Sequence, residues 1–272
     1  MLTKAEKYYL EKLERWENAQ KKERPNKIFH LYTQYFNKGI RYIPNEQRHK
    51  LLRLLNNSLF HLHTILFNST FQRNTAELLT QYARTYNESI FTLNDMRKLN
   101  IDQINLLANK QIAHYRMLAL GQGMLASKHT SFLMGDFLSI IIINIRAIQV
   151  IASVYGRPAN NPFEMMTALK VFCAGCLPKE YRMKALSELM AEWERDSFGF
   201  FYQGTEELVQ EEMLQSLLSE LIKLSFLHKG KTSQTGTVIG ATVNYRFTKN
   251  VTDFAHHYYQ KVYLLSKQKE NK

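Results

Sequence analysis

Apolar side chains recur three and four positions apart along most of this chain, the spacing that gathers them on one face of an α-helix. No stretch alternates with the two-residue period of a strand. In residues 3–22, Ala5, Tyr9, Leu13 and Trp16 share a face with Glu, Lys and Arg opposite, and Pro25 stops the run. Ile28, Leu31, Tyr32, Tyr35 and Phe36 predict a second helix over about 27–42, and Pro44-Asn45 opens a Leu-rich third that reaches Phe67. Residues 71–100 are more polar, and the pattern supports helix there only around 74–86. Asn100 and Gln103 have the arrangement of a capping box, in which each side chain bonds the other residue's backbone N–H. Ile101, Ile104, Leu107, Ala108, Ile112 and Tyr115 continue that helix to about Leu120, ahead of Gly121-Gln122-Gly123. Further helices are expected at 163–175, 179–196, 205–227 and 248–266, with 229–237 a Gly/Ser/Thr/Lys loop. The elements predict an all-α fold, a single compact multi-helix domain over residues 1–272 with one long apolar central helix.

That apolar helix, Phe132 to Gly156, is long enough to span a bilayer, for which about twenty apolar residues suffice. It nonetheless carries Asp136, Asn144 and Arg146. At about 100° per residue, Ser139, Arg146, Gln149 and Ser153 form one narrow stripe opposite a broad isoleucine arc. A mid-span arginine costs roughly 2.5–3.5 kcal/mol of insertion energy and each isoleucine returns only about 0.3–0.6 kcal/mol. A core helix with one wet stripe is the favoured expectation. An interfacial helix and a membrane span stay open behind it.

Charge changes the picture more than composition does. The 272 residues carry a formal net charge of +12. Residues 21–53 hold nine Lys/Arg against Glu23 and Glu46, a net of +7, and residues 223–272 hold nine against Asp253 and Glu270, again +7. Such ends attract phosphate-bearing surfaces, anionic lipid or nucleic acid. No helix-turn-helix or RNP-like signature is present, so nucleic acid ranks behind lipid as a partner. The N-terminus is charged from Lys4 with no apolar h-region, and there are two cysteines; a cytoplasmic address follows, with a peripheral seat on the inner membrane face as the extension.

No motif carries a recognisable reaction, so whether the chain is an enzyme is left undecided. Cys173-Ala174-Gly175-Cys176 ends a helical run, where a redox pair would begin one after a strand, and it lacks the further ligands of a zinc site. Gly121-Gln122-Gly123-Met124-Leu125-Ala126 fits G-x-G-x-x-G/A but follows a helix, not the strand that a dinucleotide site requires. Glu46-x-x-His49 is half of a di-iron motif with no second half, and His61 and His63 point apart on one helix. Asp253 and His257 share a face at i, i+4, a spacing suited to a carboxylate–imidazole hydrogen bond or to a metal. Glu188, Glu192 and Asp196 alternate with cations, as on a solvated face. No cofactor and no metal is expected. Gly236-x-x-x-Gly240-Ala241 permits close helix–helix approach, with Asn244, Tyr245, Arg246 and Thr248 a dense polar cluster just beyond.

Several of these residues together resemble the EcsC family. They are Asp136 heading the apolar helix, Tyr155-Gly156 closing it, the Gly236/Gly240 pair, the run Asn244 to Thr248, and Ala255 with Tyr258-Tyr259. The likeness is strongest over 100–266 and looser over the basic amphipathic helices of 1–50. Ser127-Lys128-His129-Thr130 stands where such proteins usually carry a glycine-rich run. The resemblance implies an accessory protein of unknown biochemical activity, encoded beside the ATPase and membrane subunits of an ABC transporter, so transporter subunits join anionic lipid as expected partners. The rival expectation is a hydrolase whose polar site gathers Asp136, Arg146, Asn244, Tyr245, Arg246 and Thr248. A nucleic-acid-binding helical module is the third.

Overall fold

A computed structural model describes residues 2–22, 44–126, 133–158, 160, 162–196, 214–215, 217–219 and 234–270. The described residues are helical with no strand. In chain order they form α1 (Lys4–Lys22), α2 (Asn45–Phe67), α3 (Thr70–Arg84), a 3-10 turn (Leu93–Lys98), α4 (Ile101–Ala126), α5 (Leu133–Val154), α6 (Pro162–Cys176), α7 (Lys179–Asp196) and α8 (Gln234–Glu270). The helix expected at 27–42 lies outside the described residues, as does most of 205–227, where Leu214 and Leu217 are helical and buried.

Local signals set the helix ends. The Asn100 N–H donates to Gln103 Oε1 at 3.1 Å and the Gln103 N–H to Asn100 Oδ1 at 2.9 Å, so the expected capping box starts α4. Thr3 and Glu6 repeat the device ahead of α1, at 2.7 and 3.2 Å. α5 closes on Gly156, whose φ of 70° favours glycine.

Two helices run longer than their glycines predict. α4 passes through Gly121-Gln122-Gly123 to Ala126, and α8 begins at Gln234, inside the expected loop, as one 37-residue helix. The reason is tertiary. A Cβ built on Gly123 would lie 2.5 Å from the Gly240 carbonyl oxygen and 2.8 Å from Ala241 Cα, so the glycine is where the two backbones cross. Gly175 serves α6 likewise, 2.9 Å from Val251 Cα of α8.

These crossings make α8 the axis of the molecule. It runs antiparallel to α4, with Gly123 beside Gly240, Arg116 beside Thr252 and Asn105 beside Gln260. It runs parallel to α5, with Asn144 beside Thr248 and Tyr155 beside Tyr263. The apolar helix is therefore one of several at the centre, with α8 the longest. α5 is enclosed by α4, α6 and α8 and also meets α2, α3 and the 3-10 turn. Ile140, Ile141, Ile145, Ile148 and Ile151 are buried in one continuous core, and no helix among the described residues is long and apolar enough to cross a membrane.

The expected wet stripe is corrected in its C-terminal half, since Ser139 and Arg146 stay partly exposed but Gln149 and Ser153 do not. Gln149 is 0% exposed and Ser153 1%, and the Ser153 hydroxyl donates to the Gln149 carbonyl at 2.7 Å. A helical projection places residues around one axis and is blind to the neighbours that close over them. α1 folds back over the other side of α8, with Leu13 buried and Trp16 stacked on His257 at 3.9 Å between ring centroids.

Candidate functional site

The polar residues singled out by sequence fall along the α4/α5/α8 interface, but they do not all share one place. Asn244 is buried and its Nδ2 donates to Gln122 Oε1 of α4. One turn on, Thr248 is fully buried, and Asn144 Nδ2 donates to its Oγ1 at 3.1 Å and to the Ile140 carbonyl at 2.7 Å. Tyr245 is half-buried and Arg246 is exposed on the outer face. Consecutive residues of a helix are about 100° apart, so Asn244 and Thr248 point inward while Arg246 points out. Arg146 is half-buried near Tyr115, whose hydroxyl burial pushes up to about 12 against the pull of that guanidinium. Asp136 lies in the first turn of α5, and its side chain is outside the described residues.

The seam continues through Arg116, Thr252, Asn105 and Gln260, which no motif flagged, meeting Asp253 and Tyr155, which the sequence singled out for other reasons. Arg116 Nε donates to Thr252 Oγ1 at 3.0 Å and its Nη2 pairs with Asp253 Oδ1 at 2.6 Å; Lys249 Nζ reaches Asp253 Oδ2 at 2.7 Å. Burial pushes the Asp253 carboxyl up, but Lys249 and Arg116 outweigh it and hold the group below the usual carboxylate range. Farther along, Tyr155 Oη and Gln260 Nε2 both donate to Asn105 Oδ1, at 2.8 and 2.6 Å. These pairs join residues between 50 and 155 positions apart, and nothing in helical spacing encodes them.

The histidine pair resolves differently from its spacing. His257 Nδ1 sits 2.6 Å from the Asp253 carbonyl oxygen, so it donates there and not to the carboxylate, which Arg116 and Lys249 hold. His256 is packed against the Tyr155 hydroxyl, with Nδ1 at 3.3 Å. Burial and the neighbouring His257 push its pKa down to about 3, so it is neutral at pH 7. Among the described residues no group of three or more His, Cys, Asp or Glu is placed to hold a metal. Cys173 and Cys176 form no disulfide and are buried in the core, and desolvation pushes the Cys173 thiol up to about 12, where it is no nucleophile at pH 7. On α7, Glu192 takes Lys170 at 2.9 Å.

What this arrangement does is join helices. Asn144–Thr248, Gln122–Asn244, Arg116–Thr252/Asp253 and Asn105–Gln260 each cross between helices, and together they fix the register of α4 and α5 on α8. Fold and seam define an all-helical protein whose internal polar groups are structural joints. Its sequence matches the EcsC protein family over residues 7–264, and the chain belongs to that family. Neither a curated protein nor a solved structure matches it.

Proposed function

We propose that this EcsC-family chain is an accessory binding protein that works at the cytoplasmic face of a membrane, drawn to anionic lipid beside an ABC transporter. The observation that carries the reading is the charge asymmetry, +7 over residues 21–53 and +7 over 223–272 in a chain of net +12. Arg246, Lys249 and Lys269 lie exposed along α8. Internal pairing tempers that field, since Lys261 reaches Glu17 at 2.5 Å and Lys249 reaches Asp253. Each basic residue near an anionic leaflet contributes about 1 kcal/mol, so four or five of them support binding in roughly the sub-millimolar range. Contact is through the surface, because the α5 isoleucines face the core.

Flotation with vesicles tests this. The protein is expected to float with phosphatidylglycerol-containing vesicles at ~0.1 M salt, to release at ~0.5 M as screening shortens, and to ignore pure phosphatidylcholine. Absence from both vesicle types, with no co-purification of transporter subunits, removes the reading.

A further inference from the structure

Where α5 ends, the chain turns sharply and sets two arginines beside each other. The Gly156 N–H donates to the Ser153 carbonyl and the Arg157 N–H to the Ala152 carbonyl, both at 2.9 Å, the two bonds of a Schellman turn. The carbonyl of Gly156 then accepts from Arg97 Nε of the 3-10 turn at 2.9 Å. Arg97 is thus pinned through Nε, and among the described residues its two terminal nitrogens make no hydrogen bond. It is exposed, and no carboxylate among the described residues lies within ion-pair distance of it. The next residue after the turn, Arg157, places Nη1 2.6 Å from Glu164 Oε1 of α6. Partial burial, and after it the adjacent Arg157 charge, hold the Arg97 pKa below its ordinary value, against the pull of Glu164 and Glu270.

Further cations gather around the same corner. The Trp193 ring of α7 has the Arg157 guanidinium 5.9 Å from its centroid and Lys269 Nζ 4.3 Å from it. Lys267 lies 3.7 Å from Glu270, whose charge Arg97 also feels. The fully buried Tyr259 hydroxyl makes no hydrogen bond among the described residues and senses both Glu164 and Arg157. Among the described residues the corner gathers Arg97, Arg157, Lys267 and Lys269, with Glu164 and Glu270 beside them.

We propose that the corner formed by Arg97 and Arg157 binds a phosphate monoester. This deepens the membrane reading, and rests on it for the lipid source of the ligand. A phosphomonoester carries about −1.5 to −2 charge at pH 7, which suits a pair of guanidinium groups. The guanidinium fork suits two phosphate oxygens at once, and an anion between the two arginines turns their repulsion into shared attraction. Because the Gly156 carbonyl already holds Arg97, little side-chain freedom is lost on binding. The ligand group is the headgroup of phosphatidic acid or a free phosphomonoester, which present the same oxygens.

The experiment compares the full chain with Arg97→Ala, Arg97→Lys and the remote control Lys184→Ala. Vesicles containing phosphatidic acid or phosphatidylglycerol form one arm. Titration with inorganic phosphate, read by Trp193 fluorescence in a Trp16→Phe background, forms the other, with circular dichroism confirming that each variant is folded. The expected result is preference for phosphatidic acid, a roughly 5–10-fold loss for Arg97→Ala, a smaller one for Arg97→Lys that keeps charge but not the fork, and none for Lys184→Ala. If the wild type floats and folded Arg97→Ala floats equally well with no preference for phosphatidic acid, the site is overturned while the membrane reading stands. If no vesicle binds but phosphate shifts Trp193 fluorescence in an Arg97-dependent way, the site stands with a soluble ligand and the lipid half of the membrane reading falls. Silence in both arms overturns both.

Discussion

Gly121 and Gly123 sit two residues apart in one helix and ought to respond oppositely to the same methyl group. A Cβ at Gly121 meets nothing within 4 Å, whereas at Gly123 it meets the backbone of α8 at 2.5 Å. Gly121→Ala is expected to stabilise the protein by about 0.5–1 kcal/mol, the helix-propensity difference. Gly123→Ala is expected to cost about 2–3 kcal/mol or more, because backbone cannot step aside as a side chain can. Urea unfolding midpoints of the two variants decide it, and equal midpoints would remove the close α4/α8 crossing. The half of the G-x-x-x-G motif that matters here, Gly240, was visible in the chain. Its partner Gly123 sat inside a discarded dinucleotide fingerprint, with nothing to mark it as the other side of a joint.

At the scale of the element, α5 shows why apolar length alone does not place a helix. Most of its isoleucines and the polar residues Asn144, Gln149 and Ser153 are enclosed, because α4, α6 and α8 close over them, while Ser139 and Arg146 stay partly exposed. Gln149→Lys buries an unpaired ammonium at a fully inaccessible position and is expected to cost at least ~3 kcal/mol. Ile65→Lys on α2, where the side chain is 66% exposed, is expected to stay within about 0.5 kcal/mol. Thermal unfolding of both checks this. A Gln149→Lys protein as stable as wild type would return the stripe to solvent or lipid. Helix existence was legible almost throughout, since 3.6-residue periodicity needs only one helix at a time. The extra turns of α4 and α8 were not, since they depend on what each glycine packs against.

At the scale of the molecule, acid should loosen the packing of α1, α4 and α5 around α8 before it reaches the carboxylates. His256 faces Tyr155 of α5, Arg116 of α4 and Lys12 of α1, besides His257 and Asp253 on its own helix. Its folded pKa of about 3 lies far below the ordinary 6.5. The unfolded chain therefore takes up this proton first, and stability falls as pH drops from 6.5 towards 3. Between pH 6.5 and 5 the loss from this one group is up to about 2 kcal/mol. His257, also depressed by burial, adds to it. Urea denaturation at pH 7 and pH 5 is expected to show this fall, reduced but not abolished in His256→Gln. An unchanged slope in that variant would mean that water reaches the imidazole in the folded state.

What the chain determined by itself is whatever depends on neighbours a few residues away. Helical class, the Asn100–Gln103 cap and the glycine stop after α5 were all readable from local order. So was a density of polar residues near Asn244 too high for an ordinary core. Tertiary structure alone decided which of those residues meet. Thr248 finds Asn144 and Asn244 finds Gln122, whereas Arg246 turns away; Arg97 and Arg157 converge from separate elements on one glycine turn. The physical reason is that a helix fixes the angle at which a side chain leaves its axis, while its partner depends on how that axis crosses the next. In this protein those crossings are set by backbone packing at Gly123, Gly175 and Gly240.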